Sequence, residues 1–299
     1  MSEKIKFPYK TAFIINPTGG GGHAGKVWSK ITNLLDKSGQ PYSAYLTREQ
    51  GDGTRLAAKA VEEGAELVVA VGGDGTIREV LNGIELKETI LGIIPLGTGN
   101  GFRHSTAIPG QWEEALNGLN YWSPRLVDIG RVNKSLFLNV VGIGLDAAVE
   151  QLASGKYHNL KGFLAYVPAF IEELASFKHF KASLNYNNHD QIIKDALLVL
   201  VSNGAYYGGQ MCIAPQASID DGKLDLTVIR NIQPTETALL AAQVLLKLPF
   251  NHDSVSLEKL TKITITADND VPIHIDGEVV VSQSIEIEII PEALKLLAP

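Results

Sequence analysis

The residues of this 299-residue chain best placed to do chemistry lie in three glycine-rich runs, each directly after a short apolar run. The first, Asn16-Pro17-Thr18-Gly19-Gly20-Gly21-Gly22, precedes a helical pattern, so its free backbone N–H groups and the helix dipole behind them suit an anion such as phosphate. The second, Gly72-Gly73-Asp74-Gly75-Thr76, brings bare backbone close to a ligand and sets one carboxylate beside it, an arrangement that points to magnesium on phosphates. The third, Pro95-Leu96-Gly97-Thr98-Gly99-Asn100, offers hydroxyl and amide groups from Thr98 and Asn100. Further on stand two Asp-Gly pairs, Asp221-Gly222 and Asp276-Gly277, the second followed by Glu278. Local chemistry alone allows each pair to be a tight turn, for which Asp-Gly is a favoured dipeptide. The histidines His23, His104 and His274 lack paired ligand spacing and read as solvated or core residues.

Elements that would position the three runs follow from the periodicity. Strands are expected at Thr11 to Asn16, Ser43 to Thr47, Leu67 to Val71 and Ile90 to Pro95, with helices at Gly25 to Ser38, Thr54 to Glu63, Thr76 to Ile84 and Trp112 to Gly118. This alternation, with strands apolar on both faces, predicts a parallel α/β sheet over residues 1–124. All three glycine runs then fall at the carboxyl ends of strands, where such sheets bind ligands.

Past Pro124 the pattern becomes strand-rich: Leu126 to Val132, Leu136 to Ile143, Ala196 to Val201, Leu224 to Ile229, Lys262 to Ala267 and Ile273 to Ile275. A mainly antiparallel β-sandwich domain over residues 125–299 is expected, its last strand packing back on the first domain. Asn185 to Asp190 reads as a hairpin turn. Two helical stretches interrupt the strands, Leu160 to Phe177 and Thr235 to Lys247. The first carries Phe163, Tyr166, Val167, Phe170 and Leu174 at helical spacing, which fits core packing first and the wall of an acyl-chain pocket second.

Composition narrows the function classes. A net charge of -7 argues against nucleic acid, whose backbone demands a concentrated positive surface. One cysteine, Cys212, excludes an internal disulfide or a cysteine-rich zinc cluster, and the polar start of the chain is unlike an export signal, so a cytoplasmic protein is expected. No apolar run reaches the ~18 residues of a membrane span. The nearest, Ala238 to Phe250, is interrupted by Gln243 and Lys247.

Asn16-Pro17, Gly72 to Thr76 and Gly97 to Asn100, in this order and spacing, resemble the nucleotide-binding signature of the diacylglycerol kinase and sphingosine kinase family. The likeness continues through Asn139 to Asp146, Ala214-Pro215, Asp220 to Asp225 and Asp276-Gly277-Glu278, nearly the whole chain, and is greatest to soluble bacterial lipid kinases without regulatory domains. It implies a kinase moving the γ-phosphate of ATP to a lipid hydroxyl, diacylglycerol or a relative, at a membrane surface the enzyme visits transiently. A homodimer is among the states it admits.

Carried over residue by residue, the resemblance implies ATP contacts from Asn16, Pro17, Thr18, Gly19 and Gly20, from Thr47, from Gly72, Gly73, Asp74, Gly75, Thr76, Ile77 and Arg78, and from Thr98 and Asn100. Asp276 matches the general base, with Glu278 beside it and Asp74 helping to hold Mg2+. A magnesium loop falls on Asp221, with carbonyl oxygens from Ser218 and Lys223. The third loop departs from the pattern: many bacterial diacylglycerol kinases read Asn-Asp-Phe there, and here the acidic position is Gly101. Sphingosine kinase-like sequences also lack that acid, so a sphingoid base is the alternative acceptor. An NAD kinase shares Gly-Gly-Asp-Gly-Thr, and a non-catalytic nucleotide or lipid binder ranks after it. A P-loop fails because Val27 follows Gly25-Lys26, and a dinucleotide oxidoreductase would rest on Gly20, Gly22 and Gly25 alone.

Overall fold

The computed structural model describes residues 5–157, 159–160, 163–207, 211–230, 232–246 and 252–299. The chain divides into two compact units, Met1–Asp128 with Glu292–Pro299, and Ile129–Pro291.

In the first unit β1 (Thr11–Ile15), β3 (Leu67–Gly72) and β4 (Ile90–Pro95) are buried along their whole length, as strands of a sheet covered on both faces must be. Between them run α1 (Gly19–Ser38), β2 (Ser43–Leu46), α2 (Asp52–Glu62) and α3 (Asp74–Leu81). The pairings of β2 to β1, β1 to β3 and β3 to β4 are parallel, and Lys295-Leu296 of the last strand add in parallel to the far side of β4. β2 forms the exposed edge. Helix α1 buries Ala24, Val27, Trp28, Ile31 and Leu35, a single stripe. Two short helices, α4 (Gly101–Thr106) and α5 (Trp112–Gly118), follow β4.

After β5 (Ser123–Val132), which crosses the division, the second unit is built from antiparallel pairs. Its order is β6 (Ser135–Phe137), β7 (Val140–Gly144), α6 (Leu145–Ser154), α7 (Phe163–Ser176), β8 (Phe180–Tyr186), β9 (His189–Ser202), β10 (Tyr206–Tyr207), β11 (Met211–Cys212), β12 (Leu224–Arg230), α8 (Pro234–Leu245), β13 (Val255–Leu260), β14 (Lys262–Ile275) and β15 (Glu278–Ala298). Strands β9 and β14 each pair with both β7 and β8, so the long strands pass from one layer of the sandwich to the other. A register shift between Thr266 and Val271 bends β14 on the way. Inward residues of these strands, among them Val141, Leu184, Val199, Leu226, Ile265 and Ile287, form one core. A second apolar cluster joins α6, α7 and α8 to β9.

Two expectations for this half need correction. Leu136 to Ile143 is not one strand: it breaks at Leu138-Asn139, where the backbone N–H groups turn to a side chain instead of a neighbouring strand. A third helix, α6, stands where only two helical stretches were expected, its apolar face made of Leu145, Val149 and small alanines. The turn at Asn187-Asn188 joins β8 to β9, both residues at positive φ. Of the two expected helices, residues 161, 162 and Lys247 lie outside the described residues.

The three strand ends of the first unit approach each other at backbone distance. A methyl on Gly97 would stand 2.3 Å from the Gly73 Cα, and one on Gly20 would stand 2.5 Å from the Leu96 carbonyl oxygen. Both obstacles are main chain, so neither can swing away. Gly97→Ala is therefore expected to destabilise the first unit by about 1–3 kcal/mol, the usual cost of forced overpacking. A thermal unfolding curve identical to that of the parent chain would contradict this packing.

Candidate functional site

At the carboxyl ends of β1, β3 and β4 the glycine runs form one rim, held by short side-chain bonds to backbone. Asn16 Oδ1 accepts from Thr18 N (3.1 Å) and Thr18 Oγ1 (2.8 Å), which curls the first loop. Gly19 then packs on the second loop, where a methyl would lie 3.7 Å from the Gly72 Cα. Gly20, Gly21 and Gly22 take φ values of 60, 67 and 87°, so the regular part of α1 begins after them and their polar backbone remains at the surface. Thr47, buried at the end of β2, is tied to β1 through its N–H to the Ile15 carbonyl at 2.8 Å.

Asp74 begins α3, and its carboxylate reaches to the third loop, accepting from Gly101 N at 2.7 Å and Phe102 N at 3.1 Å. These are the first N–H groups of α4, which have no partner within that helix. Asn100, at φ 56°, clasps Gly97 from both sides, with Gly97 N to Oδ1 and Nδ2 to the Gly97 carbonyl both at 2.9 Å. The structure thus brings Asn16 to Gly20, Gly72 to Gly75 and Gly97 to Asn100 together on one rim, while Thr76 and Ile77 are buried in α3 behind it. Gly101, the position without the family's acid, supplies a backbone donor to Asp74.

Asp276, Glu278, Ser218, Asp221 and Lys223 lie in the second unit. Asp276 and Gly277 are the two turn residues of the β14–β15 hairpin, with Ile275 paired to Glu278 and positive φ at both turn positions. The Asp276 carboxylate accepts three N–H groups, Leu138 at 2.6 Å, Asn139 at 2.8 Å and Val140 at 3.0 Å. Its own N–H returns to the Val140 carbonyl at 3.0 Å. Asn203 holds the same segment from behind, donating from Nδ2 to the Leu138 carbonyl at 2.8 Å and from its N–H to the Asn139 carbonyl at 2.7 Å.

A polar cluster unforeseen from the sequence lies against this hairpin. His274, fully buried on β14, contacts Asp146 of α6 at 2.8 Å and stacks on Tyr207 with ring centroids 4.5 Å apart. Glu150, one turn after Asp146, accepts from the hydroxyls of Tyr166 (2.7 Å) and Tyr207. Burial pushes the His274 imidazole down, but the Asp146 charge and hydrogen bond, with help from Glu150 and Asp276, carry it above the usual histidine range. Burial and the Glu150 charge hold the Tyr207 phenol well above its ordinary value, so it stays a hydrogen-bond donor. The segment Gly142 to Asp146 was visible in the sequence as a motif. The partners of Asp146 were not, because they come from strands more than sixty residues away.

Beside this cluster opens a cavity of about 360 Å3 between α6, α7, α8 and strands β9 and β12. Leu145, Phe170, Leu198, Ile229 and Ala241 are among its walls, and Asp146, Thr227, Thr237, Tyr166 and Tyr207 are its polar members. The aromatic stripe of α7 is both core and cavity wall: Leu174 packs in the apolar cluster, while Tyr166, Val167 and Phe170 face the cavity. Asp146 Oδ1 is buried without a hydrogen-bond partner.

The loop expected to bind magnesium does not fit a resident metal ion. Asp221 Oδ2 holds the Lys259 ammonium at 2.6 Å and Oδ1 accepts the Lys223 N–H at 3.0 Å, while the Ser218 hydroxyl turns to Asp220. Among the described residues no group of three His, Cys, Asp or Glu side chains is placed to hold a metal. Lys259 carried no signal in the sequence, since nothing in an exposed strand pattern tells where an ammonium ends.

Residues 10–132 match the diacylglycerol kinase catalytic domain, and residues 139–298 match the YegS C-terminal NAD kinase beta sandwich-like domain. The "probable lipid kinase YegS-like" protein of Chromohalobacter salexigens is 30% identical over 88% of this chain and 86% of its own length. A diacylglycerol kinase of Staphylococcus aureus is 30% identical over 90% and 86%, and that of Bacillus subtilis 28% over 90% and 89%. Among solved structures, a diacylglycerol kinase from Bacillus anthracis superposes with TM-score 0.75 at 24% identity, covering 98% of each chain. An NAD kinase from Archaeoglobus fulgidus shares the fold at TM-score 0.50 and 14% identity, over 96% of this chain and 93% of its own. The chain therefore belongs to the family of diacylglycerol kinases and YegS-like lipid kinases.

Proposed function

We propose that this lipid kinase uses ATP and phosphorylates the free hydroxyl of a lipid of the diacylglycerol class, working transiently at a membrane surface. The observation that carries the acceptor is the apolar cavity with Asp146 and Tyr207 of its lining packed against His274 beside the Asp276 hairpin, a shape suited to an acyl chain with a hydroxyl-bearing head. Exposed Leu164 and Ile171 on α7 and Leu239 on α8, each more than 60% accessible, give the helices around that cavity an apolar exterior suited to a bilayer. Among the described residues no helix is long and apolar enough to cross one.

The first unit binds the nucleotide. Backbone N–H groups of Gly20 and Gly21 and the N-terminus of α3 would receive phosphate oxygens, and Thr98 and Asn100 supply polar groups from the third loop. Asp74 is the carboxylate of this rim that would meet the magnesium ion arriving with ATP. Phosphoryl transfer asks for positioning and charge neutralisation more than for covalent help. The lipid oxygen forms the new bond to the γ-phosphorus as the bond to the β-phosphate oxygen breaks, ADP leaves, and Asp276 takes the hydroxyl proton. The N–H groups of Leu138, Asn139 and Val140 hold that carboxylate in one fixed orientation at the hairpin. Glu278, beside it, adds negative charge next to the proton that moves.

A second acceptor class has its own support. Asp146 lines the cavity with one oxygen unpartnered, and a carboxylate oxygen is relieved by a donor. A sphingoid base carries an ammonium beside its hydroxyl; a diacylglycerol has no second donor.

Three outcomes are expected. Ala241→Trp, which fills the cavity, should raise the KM for a long-chain lipid several-fold and leave ATP binding unchanged; an unchanged lipid KM would remove the cavity from the account. Asp276→Asn should lower both turnover and Tm, because its amide NH2 would face backbone N–H groups that need an acceptor, and near-native turnover would exclude Asp276 as the base. With purified enzyme in mixed micelles, Asp146→Ala should depress turnover of sphingosine more than that of diacylglycerol if the sphingoid acceptor is the true one. Equal effects on the two lipids would leave diacylglycerol as the acceptor.

A further inference from the structure

The loop that joins β11 to β12 carries the oxygens that family resemblance assigns to magnesium, and a lysine side chain reaches them. Lys259 stands on β13 directly opposite Asp225 of β12. Its Nζ lies 2.6 Å from Asp221 Oδ2, 3.2 Å from Asp225 Oδ2 and 3.3 Å from the Gln216 carbonyl oxygen. An ammonium has three N–H donors and no acceptor, so two carboxylates and one main-chain carbonyl match it fully. The three oxygens come from three points of one loop and the strand after it, which is how a bound cation gathers a loop around itself.

We propose that the Lys259 ammonium is a built-in cation that takes the place of a divalent metal in the Gln216 to Asp225 loop, so that this loop closes without magnesium.

Charge supports the assignment. Without a cation, the Asp221 and Asp225 carboxylates would face each other with only water to separate them. Burial already pushes the Asp225 carboxyl up, Lys259 draws it back down, and the Asp221 charge raises it again. Burial works against the Lys259 ammonium as well, yet its two carboxylates outweigh that and hold it above the usual lysine range. A magnesium ion added on Asp221 would meet this ammonium at close range and would have to displace it. Strand pairing pins the lysine in place: Lys259 is a neighbour of Asp225 in the β12–β13 register, so the ammonium arrives with the fold.

The loop is also linked to the Asp276 segment. Ile213 and Ala214 donate their N–H groups to the Ala205 carbonyl at 3.1 and 3.3 Å, and Asn203 and Gly204 just before it donate to the Asn139 carbonyl at 2.7 and 3.0 Å. Asn139 is one of the residues that the Asp276 carboxylate binds. A cation supplied by the chain keeps this support independent of the free magnesium concentration, whatever lipid the enzyme accepts.

The test is thermal unfolding of the full chain without nucleotide, in EDTA and in millimolar magnesium chloride. The parent chain is expected to unfold at the same temperature in both. Lys259→Met, which keeps the length of the stem but removes the charge, should unfold several degrees lower in EDTA and recover part of the loss in magnesium; Lys259→Gln should show the same pattern if the Met variant does not fold. Adding Asp221→Ala to either variant should abolish the recovery, which locates the ion in this loop. A parent chain that loses several degrees in EDTA overturns the proposal, as do lysine variants that match the parent or that are destabilised yet indifferent to magnesium.

Discussion

The second unit depends on one carboxylate. Asp276 sits in a two-residue turn at φ 49°, a conformation Asp accepts more readily than most residues, with Gly277 completing the hairpin at φ 92°. From there it gathers the N–H groups of Leu138, Asn139 and Val140, from a segment 136 or more residues earlier in the chain. Left alone, those donors would extend β6 into β7. Bound to Asp276, they end one strand and start the next, and β7 then delivers Gly144 and the start of α6 beneath the hairpin. The cluster of Asp146, Glu150, His274 and Tyr207 follows from that placement, and with it the polar end of the apolar cavity.

The first unit solves a similar problem with Asp74. Three strand ends, each rich in glycine, meet at backbone distance on one rim. Asp74 takes two backbone N–H groups at the start of α4 and so fixes the third loop against the second, while Asn16 and Asn100 shape their own loops. Gly20 and Gly21 keep their backbone exposed at the surface for a ligand. In both units a carboxylate that also serves the chemistry proposed for it first organises the backbone around it. Such double duty explains why substituting these residues should disturb packing and turnover together.

Much of this was legible in the sequence because it is local. The β-α alternation, the three glycine runs at strand ends, the Asn187-Asn188 turn and the Asp276-Gly277 hairpin each depend on residues that are neighbours along the chain. What was not legible is set by distant partners. Leu136 to Ile143 is apolar apart from Asn139 and reads as one strand, since the reason for its break, Asp276, lies far away. Helix α6 follows a glycine-rich run and buries small residues, so its pattern is faint. His274 looked like a solitary histidine until β14 placed it against Asp146, and nothing around Asp221 announced Lys259, which β13 places 2.6 Å from its carboxylate. Such contacts are decided by register and strand order, which local periodicity does not encode.

The central claim is that the nucleotide bound by the glycine rim gives its terminal phosphate to a lipid held by the second unit. The most direct measurement is transfer of label from γ-labelled ATP with magnesium, offering diacylglycerol, monoacylglycerol, sphingosine and ceramide in mixed micelles and NAD as a separate acceptor. Label recovered in a lipid is the predicted result. Label recovered solely in NADP, with every lipid left unlabelled, would contradict the account.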